Sequence, residues 1–278
     1  MYIACDIGGT KFRVARSENC VDFDEPIIEE TPDNPKEGIE FIIETIKNVA
    51  SGKQIKAVCI GIAGVLDQSH RQLLKSPHLP EWERIALKEK FQNGLINLGE
   101  NNQSPKIYIE NDTDIVGLGE AVSGAGRGFE ICTYITISTG IGGVKITNGR
   151  FEKNRFGFEP GFQIINNETG ENFEDLCSGT AVEKKFNMHP KDVAQTNDWQ
   201  EIEKNIAVGL HNSIIHWSPD VLVIGGSMSK DLDAERMRDM IASLMKIHPE
   251  LPEIRIAELG SIGGIHGGLA FLKEKFDL

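Results

Sequence analysis

The spacing of apolar residues along the chain predicts a mixed α/β protein that begins with a hairpin. Tyr2–Ile7 has the pattern of a short buried strand, Gly8-Gly9 turns the chain, and Lys11–Ala15 follows as a second strand. From Asn34 onward, isoleucines recur at helical spacing and indicate a helix. We interpret this helix as the crossover to the next strand of a βαβ unit.

Two further buried strands end in polar or glycine-rich sequence. Ala57–Ile62 runs into the loop Gly61–Gly64. Lys106–Ile109 ends in Glu110–Asp112, and a short helix follows at Ile115–Val122. Ligands of open α/β sheets collect at the carboxyl ends of the strands. We therefore expect these two loops to face the same crevice.

The second half of the chain repeats the alternation of strands and helices. Ile131–Ser138 starts a second hairpin whose strands flank Thr139–Gly143 and which ends at Asn148-Gly149, a dipeptide suited to a tight turn. Asp198 and Glu201 have the spacing of a capping box and indicate a helix that runs to about residue 217. The remaining predicted elements are a strand Val221–Ile224, a strand Ile254–Ala257 and a last helix Leu269–Phe276.

Composition and charge limit the kinds of partner that we expect the protein to bind. Hydrophobic residues make up 40% of the chain and charged residues 26%, as in ordinary globular proteins. The net charge of −13 would repel a phosphate backbone, so we expect no nucleic-acid partner, although loop amides and a divalent cation can still bind small anions. The five cysteines are scattered, no signal peptide is recognisable, and no apolar run could span a membrane. We expect a cytoplasmic protein with reduced thiols and no membrane partner.

A short sequence occurs in both halves of the chain. Ile7–Lys11 and Ile141–Lys145 match at four of five positions. Paired glycines serve tight turns, and they also let backbone N–H groups approach an anion. Two such tips facing each other could hold a polyphosphate, with Asp6 and Thr139 placed to bind Mg²⁺ directly or through water. The repetition favours a nucleotide site over two unrelated turns.

Six motifs, in this order, resemble those of the ROK family (repressors, open reading frames and sugar kinases) of the actin/hexokinase superfamily. They are the first phosphate motif Asp6–Lys11, the sugar loop Gly61–Gly64, the catalytic pair Asn111-Asp112, the interlobe segment Gly124–Gly128, the second phosphate loop Thr139–Gly143 and the adenosine loop Ile224–Gly226. Together they extend over nearly the whole chain.

This resemblance implies an α/β, two-lobed actin/hexokinase-like (ribonuclease H-like) fold with a cleft between the lobes. The small lobe would comprise 1–113, completed by the C-terminal helix 267–278, and the large lobe 114–266. The family also implies ATP and Mg²⁺ as cofactors and a small-molecule sugar as substrate, and it leaves a homodimer open. The residues that the resemblance assigns to the nucleotide are Asp6, Gly8, Gly9, Thr10, Lys11, Thr139, Gly140, Gly142, Gly225 and Gly226.

Asp112 is the candidate catalytic residue. Phosphoryl transfer needs alignment and a base that accepts the hydroxyl proton. An Asp ahead of a helix could equally be a helix cap. The resemblance to the ROK family favours the general base. It also implies that Gly64, Asn111, Glu159 and Glu174 contact the sugar, together with Asp112, because carboxylates and amides bind sugar hydroxyls.

The chain departs from the family pattern around Phe162. Phe162 stands where most members have a histidine that binds zinc and touches the sugar, and 166–172 lacks the family's cysteine cluster. We therefore expect no structural zinc. We hypothesise that packing by Phe162, Pro160 and Phe173 takes its place.

The acceptor sugar is left open by the loss of that histidine. A glucose-type hexose phosphorylated at O6 is our main expectation, with N-acetylmannosamine, N-acetylglucosamine or fructose as alternatives. His78 and Trp82 follow the sugar loop and could line the pocket, although a tryptophan is more often a core residue.

The sequence disfavours three alternatives to an ATP-dependent sugar kinase. A transcriptional regulator is disfavoured because the first motif begins at Asp6, without room for a helix-turn-helix, and because the charge is acidic. A sugar-binding protein without catalysis is disfavoured by the presence of Asp112 and both phosphate loops. Polyphosphate could replace ATP as donor, but the adenosine loop favours ATP.

Overall fold

The computed structural model describes residues 1–155 and 157–278 and divides the chain into two compact units. Unit 1 comprises Met1–Gly119 and Gly260–Leu278, and unit 2 comprises Glu120–Leu259. The assignment of ligand-binding lobes to 1–113 with 267–278 and to 114–266 stays a prediction. Within the described ranges, no helix has the length and hydropathy needed to cross a bilayer.

Unit 1 is built on a five-stranded sheet with the order β3-β2-β1-β4-β7. Strand β1 is antiparallel to β2 and parallel to β4, which is parallel to β7. The strands are β1 Tyr2–Ile7, β2 Lys11–Ser17, β3 Ile27–Glu30, β4 Ala57–Ile62, β7 Lys106–Asn111 and the small pair β5 Val65–Leu66 and β6 Leu73–Lys75. The helices are α1 Pro35–Ala50, α2 Leu87–Gly94, α3 Asp112–Ser123, which continues into unit 2, and the C-terminal α9 Gly263–Lys275.

Unit 2 has a second five-stranded sheet, with the order β10-β9-β8-β11-β12. The pairing repeats that of unit 1, since β8 is antiparallel to β9 and parallel to β11, which is parallel to β12. The strands are β8 Ile131–Ile137, β9 Ile141–Thr147, β10 Arg150–Phe151, β11 Val221–Gly225 and β12 Glu253–Ile256. The helices are α4 Phe173–Cys177, α5 Gly179–Phe186, α6 Pro190–Val193, α7 Trp199–Trp217 and α8 Ala234–Leu244.

The apolar pattern explains the elements that were predicted closely. Every residue of β4 is buried, as expected for a parallel strand covered on both faces. The Asn34 side chain accepts hydrogen bonds from the N–H groups of Lys36 and Glu37 and so caps α1. Ile42 and Ile46 of this helix are fully buried in the core of unit 1.

Two helix starts and one cap differ from the prediction. Helix α3 begins at Asp112, three residues early, because Asn111 Oδ1 accepts the N–H of Asp114. Helix α9 begins at Gly263 instead of Leu269, since its glycines lie against neighbouring backbone. Helix α7 begins and ends where predicted, with Asp198 as its N-cap residue, but the Asp198 side chain makes no cap hydrogen bond, so the predicted capping box is not formed. The chain's capping box lies instead at Asn172 and Asp175, where it opens α4.

Candidate active site

The tip of the first hairpin is fixed from two sides. The N–H of Gly8 donates to Lys11 O across the turn at 3.0 Å, and Thr31 Oγ1 donates to Gly8 O at 2.8 Å. A Cβ on Gly9 would lie 2.7 Å from His78 Cβ and 2.8 Å from His78 O. Position 9 must therefore be glycine because another segment of unit 1 lies directly on it.

Asp6 ends β1 beside this tip, in an environment that disfavours its charge. A Cβ on Gly264, in the first turn of α9, would lie 2.5 Å from Asp6 Cγ. Arg13 is the register partner of Asp6 on β2, and its Nη1 lies 3.7 Å from Asp6 Oδ2. Burial and the charge of Asp112 raise the pKa of Asp6 to about 7, although Arg13 lowers it in part.

Asp112 and Asp6 lie side by side, although more than a hundred residues separate them in sequence. A Cβ on Gly61 would lie 3.7 Å from both Asp112 Cα and Asp6 Oδ1. Burial raises the pKa of Asp112, while the hydrogen bond from Thr113 N–H and the charge of His78 lower it in part. A buried carboxylate with a raised pKa is better suited to take a proton than an exposed one.

Asn111 caps helix α3, a role that the sequence alone could also assign to Asp112. Its Oδ1 accepts the N–H of Asp114 at 3.1 Å, and its Nδ2 donates to Gly64 O at 2.8 Å. Gly64 has a φ of +127°, and a Cβ there would strike Lys75 O. Asn111 thus joins the sugar loop to the start of α3.

Trp82 is a core residue and not part of a pocket. Its side chain is fully buried in the core of unit 1. A Cβ on Gly38 of α1 would collide with its ring. His78, four residues earlier, is exposed. Of the two residues that follow the sugar loop, only His78 stays available to a ligand.

The second hairpin differs from the sequence prediction in its register. Its turn is Ser138–Gly140, with Ser138 N–H donating to Gly140 O at 2.9 Å. Gly142 and Gly143 lie within β9, opposite Thr136 and Ile135, and not at the tip. Gly143 is needed because Pro160 Cγ would lie 2.8 Å from a Cβ there. The repeated pentapeptide therefore does not mark equivalent turns.

The two carboxylates predicted to bind sugar lie together at this turn. Glu174 Oε2 accepts the N–H of Ile141 at 2.6 Å and would lie 2.8 Å from a Cβ on Gly140. Burial and the charge of Glu174 raise the pKa of Glu159. The hydroxyl of Thr180 donates to Thr139 O at 2.9 Å and secures the turn from the other side. These residues form one polar cluster within unit 2.

The Gly225-Gly226 loop packs on the end of β8. A Cβ on Gly225 would collide with the hydroxyl of Tyr134. Gly226 has a φ of +89°, and a Cβ there would meet the backbone of Ile137. The two glycines therefore allow the end of β11 to lie close to β8.

The sequence of this chain is similar to those of known proteins. A sequence model of the ROK family matches residues 2–275. The chain belongs to the ROK family. It is 25% identical over 316 residues to the glucokinase of Thermotoga maritima, which covers 98% of this chain and 97% of that protein.

Solved ROK structures share the fold over the whole chain. The ROK hexokinase from Thermus thermophilus superposes with a TM-score of 0.83 at 21% identity, covering 99% of both chains. The ROK family glucokinase from Streptomyces griseus, in complex with glucose and AMPPNP, gives a TM-score of 0.75 at 22% identity and also covers 99% of both chains. The predicted actin/hexokinase-like α/β fold is confirmed.

This ROK chain holds the segment after Glu159 in a way that the sequence did not predict. Phe162 is 63% exposed, so the hypothesis that it packs in place of zinc is wrong, although Pro160 and Phe173 are buried. Gln163 Nε2 instead reaches Pro160 O at 2.8 Å, Gly209 O at 3.2 Å and Ser213 Oγ at 3.3 Å. Across residues 1–155 and 157–278, no group of three or more His, Cys, Asp or Glu is arranged to hold a metal.

Sequence reasoning missed two residues that contact the candidate site in this family member. Arg13 could have been found from the hairpin, because Ile7 pairs with Phe12 and the register then places Arg13 opposite Asp6. Gln163 carried no comparable signal, since its partners on α7 are distant in sequence.

Proposed function

We propose that this ROK family chain is an ATP-dependent sugar kinase in which Asp112 is the general base for phosphorylation of a hexose hydroxyl. The observation that carries the proposal is the position of Asp112, which lies partly buried beside Asp6 and is released from capping α3 by Asn111. Membership of the family and similarity to a named glucokinase along the whole chain support sugar kinase activity. Asp112 as the base is our own assignment.

The proposed step needs one proton acceptor. The Asp112 carboxylate takes the proton of the sugar hydroxyl while the hydroxyl oxygen forms a bond to the γ-phosphorus. The bond between this phosphorus and the β–γ bridging oxygen breaks, and ADP leaves with that oxygen. We infer O6 of a glucose-type hexose as the acceptor, with N-acetylmannosamine, N-acetylglucosamine and fructose as the alternatives.

The pair Asp6 and Asp112 fits a Mg²⁺-bound nucleotide. Two buried carboxylates side by side repel each other, and a divalent cation would relieve that repulsion. Bound Mg²⁺ supplies charge neutralisation for the phosphates. We assign Asp6 to hold this ion directly or through water, and the hairpin tip Gly8–Lys11 to bind phosphate through its backbone. The nucleotide roles of Thr139, Gly140, Gly142, Gly225 and Gly226 stay predictions.

The sugar contacts are proposed from the clusters in each unit. Gly64 and Asn111 lie next to Asp112 in unit 1, and Glu159 and Glu174 lie together in unit 2. Carboxylate oxygens accept from pairs of hydroxyls, and the amide of Asn111 both donates and accepts. We propose that these four residues orient the hexose.

The decisive experiment is a coupled ADP-release assay on the wild type and on Asp112→Asn. The acceptors are glucose, mannose, fructose, glucosamine, N-acetylglucosamine and N-acetylmannosamine, and phosphorylated sugar is measured directly when polyphosphate replaces ATP. Asp112→Asn should lower kcat by about 10² or more and leave sugar affinity within a few-fold, because it removes only the base. Near-normal turnover would remove Asp112 from this role.

A wild type that binds sugar but phosphorylates none of these acceptors with either donor would favour the non-catalytic alternative. Sugar binding is followed by calorimetry in the same preparations. Asp198→Asn serves as the matched control, since Asp198 lies at the start of α7 and its side chain makes no cap hydrogen bond. Its turnover should equal that of the wild type.

A further inference from the structure

His78 lies in a segment that is held rigidly against the sugar loop. Ser76 Oγ donates to Ala63 O at 2.7 Å and accepts the N–H of Leu79 at 3.1 Å. Glu83 Oε1 accepts the N–H of Ser76 at 3.0 Å. The backbone around His78 is therefore held by hydrogen bonds on both sides.

The same segment covers the phosphate hairpin. His78 Cβ and O lie 2.7 and 2.8 Å from the point where a Gly9 Cβ would stand. The side chain of His78 is nevertheless exposed. Its backbone therefore packs on the tip of the hairpin, while its imidazole is left accessible to a ligand bound there.

His78 also lies within electrostatic reach of the proposed base. Its charge lowers the pKa of Asp112, against the larger effect of burial. Asp112 itself lies beside Asp6 at the end of the first hairpin. His78 therefore packs on the proposed phosphate hairpin through its Cβ and carbonyl, and its charge acts on the proposed base.

We propose that His78 is a further catalytic residue, whose imidazole N–H donates a hydrogen bond to a non-bridging oxygen of the phosphoryl group during its transfer. This inference rests on the proposed kinase function. Donors placed where negative charge develops stabilise a transition state more than the bound substrates. Asp112 still takes the hydroxyl proton, and the imidazole keeps its own proton throughout.

His78→Ala isolates the imidazole from the structural role of the segment. The contacts with Gly9 are made by the Cβ and the carbonyl, which alanine retains. His78→Gln restores an N–H donor on a side chain of similar reach. His216→Ala is the matched control, because His216 is an exposed histidine near the end of α7 in unit 2.

The test measures kcat, both KM values and the binding of ADP with aluminium fluoride, a mimic of the transferring phosphoryl group. His78→Ala should lower kcat by about 10², the size of effect seen when one transition-state donor is removed, with both KM values within three-fold. Calorimetry in the presence of sugar should show weaker binding of ADP with aluminium fluoride and unchanged binding of ADP alone. His78→Gln should recover at least ten-fold in kcat, and His216→Ala should match the wild type.

Two results would overturn the role of His78. One is a kcat of His78→Ala within three-fold of the wild type, and the other is a raised sugar KM at unchanged kcat, which would make His78 a sugar contact. In either case an inactive Asp112→Asn would leave the kinase proposal standing. A wild type without phosphoryl transfer to any acceptor would instead reject the proposed function and this inference with it.

Discussion

At the scale of single residues, Asp6 combines a proposed functional role with a cost in stability. Its pKa is about 7 in the folded chain, chiefly through burial and then through Asp112, against 3.8 for the ordinary group. The folded state therefore holds this proton more tightly than the unfolded state, and stability falls as pH rises from about 4 to about 7. Such a group is kept for function more readily than for folding.

Asp6→Asn should therefore stabilise the nucleotide-free protein at pH 8 by about 2–4 kcal/mol and have little effect near pH 4. Urea unfolding at the two pH values measures this difference. Turnover should fall in the same variant, because the carboxylate proposed to hold Mg²⁺ is lost. An Asp6→Asn protein less stable than the wild type at pH 8 would contradict the assignment.

Asp67 provides a control, because its pKa is shifted in the opposite direction from that of Asp6. Burial raises its pKa, but hydrogen bonds from Ser69, Gln72 and Arg71 outweigh this effect and lower the pKa to about 2. Its charge therefore contributes stability above the unfolded pKa, and that contribution is lost as pH falls toward 2. Asp67→Ala should destabilise the protein at pH 8, in contrast to Asp6→Asn.

The sequence predicted the residues of the candidate site and the approach of the sugar loop to Asn111, but not the proximity of Asp6 to Asp112. Asp6, Asn111 and Asp112 each lie at or just after the carboxyl end of a strand and carry side chains that suit phosphate or sugar chemistry. The contact between Asp6 and Asp112 depends on the parallel pairing of β1 with β4 and of β4 with β7. The apolar pattern predicts these strands without specifying their order in the sheet.

At the scale of elements, regular apolar spacing predicted the bounds of buried strands correctly. Glycine-rich sequence did not predict where a helix begins. The predicted bounds of β1 and β4 agree with the structure because buried strands read as continuous apolar runs. The exposed edge strand β3 was missed, since all its residues face solvent in part and alternate weakly. The start of α9 was missed because its glycines serve close packing, as where a Cβ on Gly268 would lie 3.1 Å from Ala4 Cβ.

In the segment 159–172, we expect hydrogen bonds to hold the loop in place of the zinc ion that the family resemblance implies. Gln163 joins the 3₁₀ turn at Pro160 to two residues of α7, and the N–H of Phe173 donates to Gln163 O at 2.9 Å. Gln163→Ala removes these side-chain hydrogen bonds at a cost of about 0.5–1.5 kcal/mol, because Gly209 O keeps the hydroxyl of Ser213 and Pro160 O keeps the N–H of residue 163 as donors. The expected result is a lower thermal midpoint and weaker sugar binding, because Glu159 and Glu174 flank this loop.

The wild type should keep its thermal midpoint and activity after treatment with a zinc chelator that spares Mg²⁺, and metal analysis should find no stoichiometric zinc. Gln195→Ala is the matched control for Gln163→Ala, because Gln195 is an exposed glutamine of the same unit outside this loop. Stoichiometric zinc in the purified protein would contradict the prediction. An unchanged midpoint for Gln163→Ala would contradict the role of the hydrogen bonds.

At the scale of the whole molecule, the two units repeat one topology with different sequences. Both sheets have a hairpin followed by two parallel strands, and the chain passes between the units only near 119 and 259. The sequence indicated this duplication through the repeated pentapeptide. Its glycines nevertheless fall at the tip in one unit and within β9 in the other. The fold repeat was therefore inferred correctly from residues that are not structurally equivalent.

Apolar clusters that each belong to a single unit predict two unfolding steps. Ile46 and Trp82 are fully buried in one cluster of unit 1, whereas Ile206 and Trp199 are buried in a cluster of unit 2. Ile206→Ala should cost about 2–5 kcal/mol through the cavity that it leaves in its own cluster. Because each cluster draws its residues from one unit, the loss should lower the unfolding midpoint of unit 2 and leave that of unit 1 unchanged.

Tryptophan fluorescence can separate the two transitions, since Trp82 is in unit 1 and Trp199 and Trp217 are in unit 2. Urea titrations compare a reporter with Trp82 alone and a reporter without it, each with and without Ile206→Ala. The reciprocal variant Ile46→Ala should move only the Trp82 signal. Equal shifts of both reporters in both variants would show that the chain unfolds as one cooperative body, so that a substitution in either core would change sugar and nucleotide binding alike.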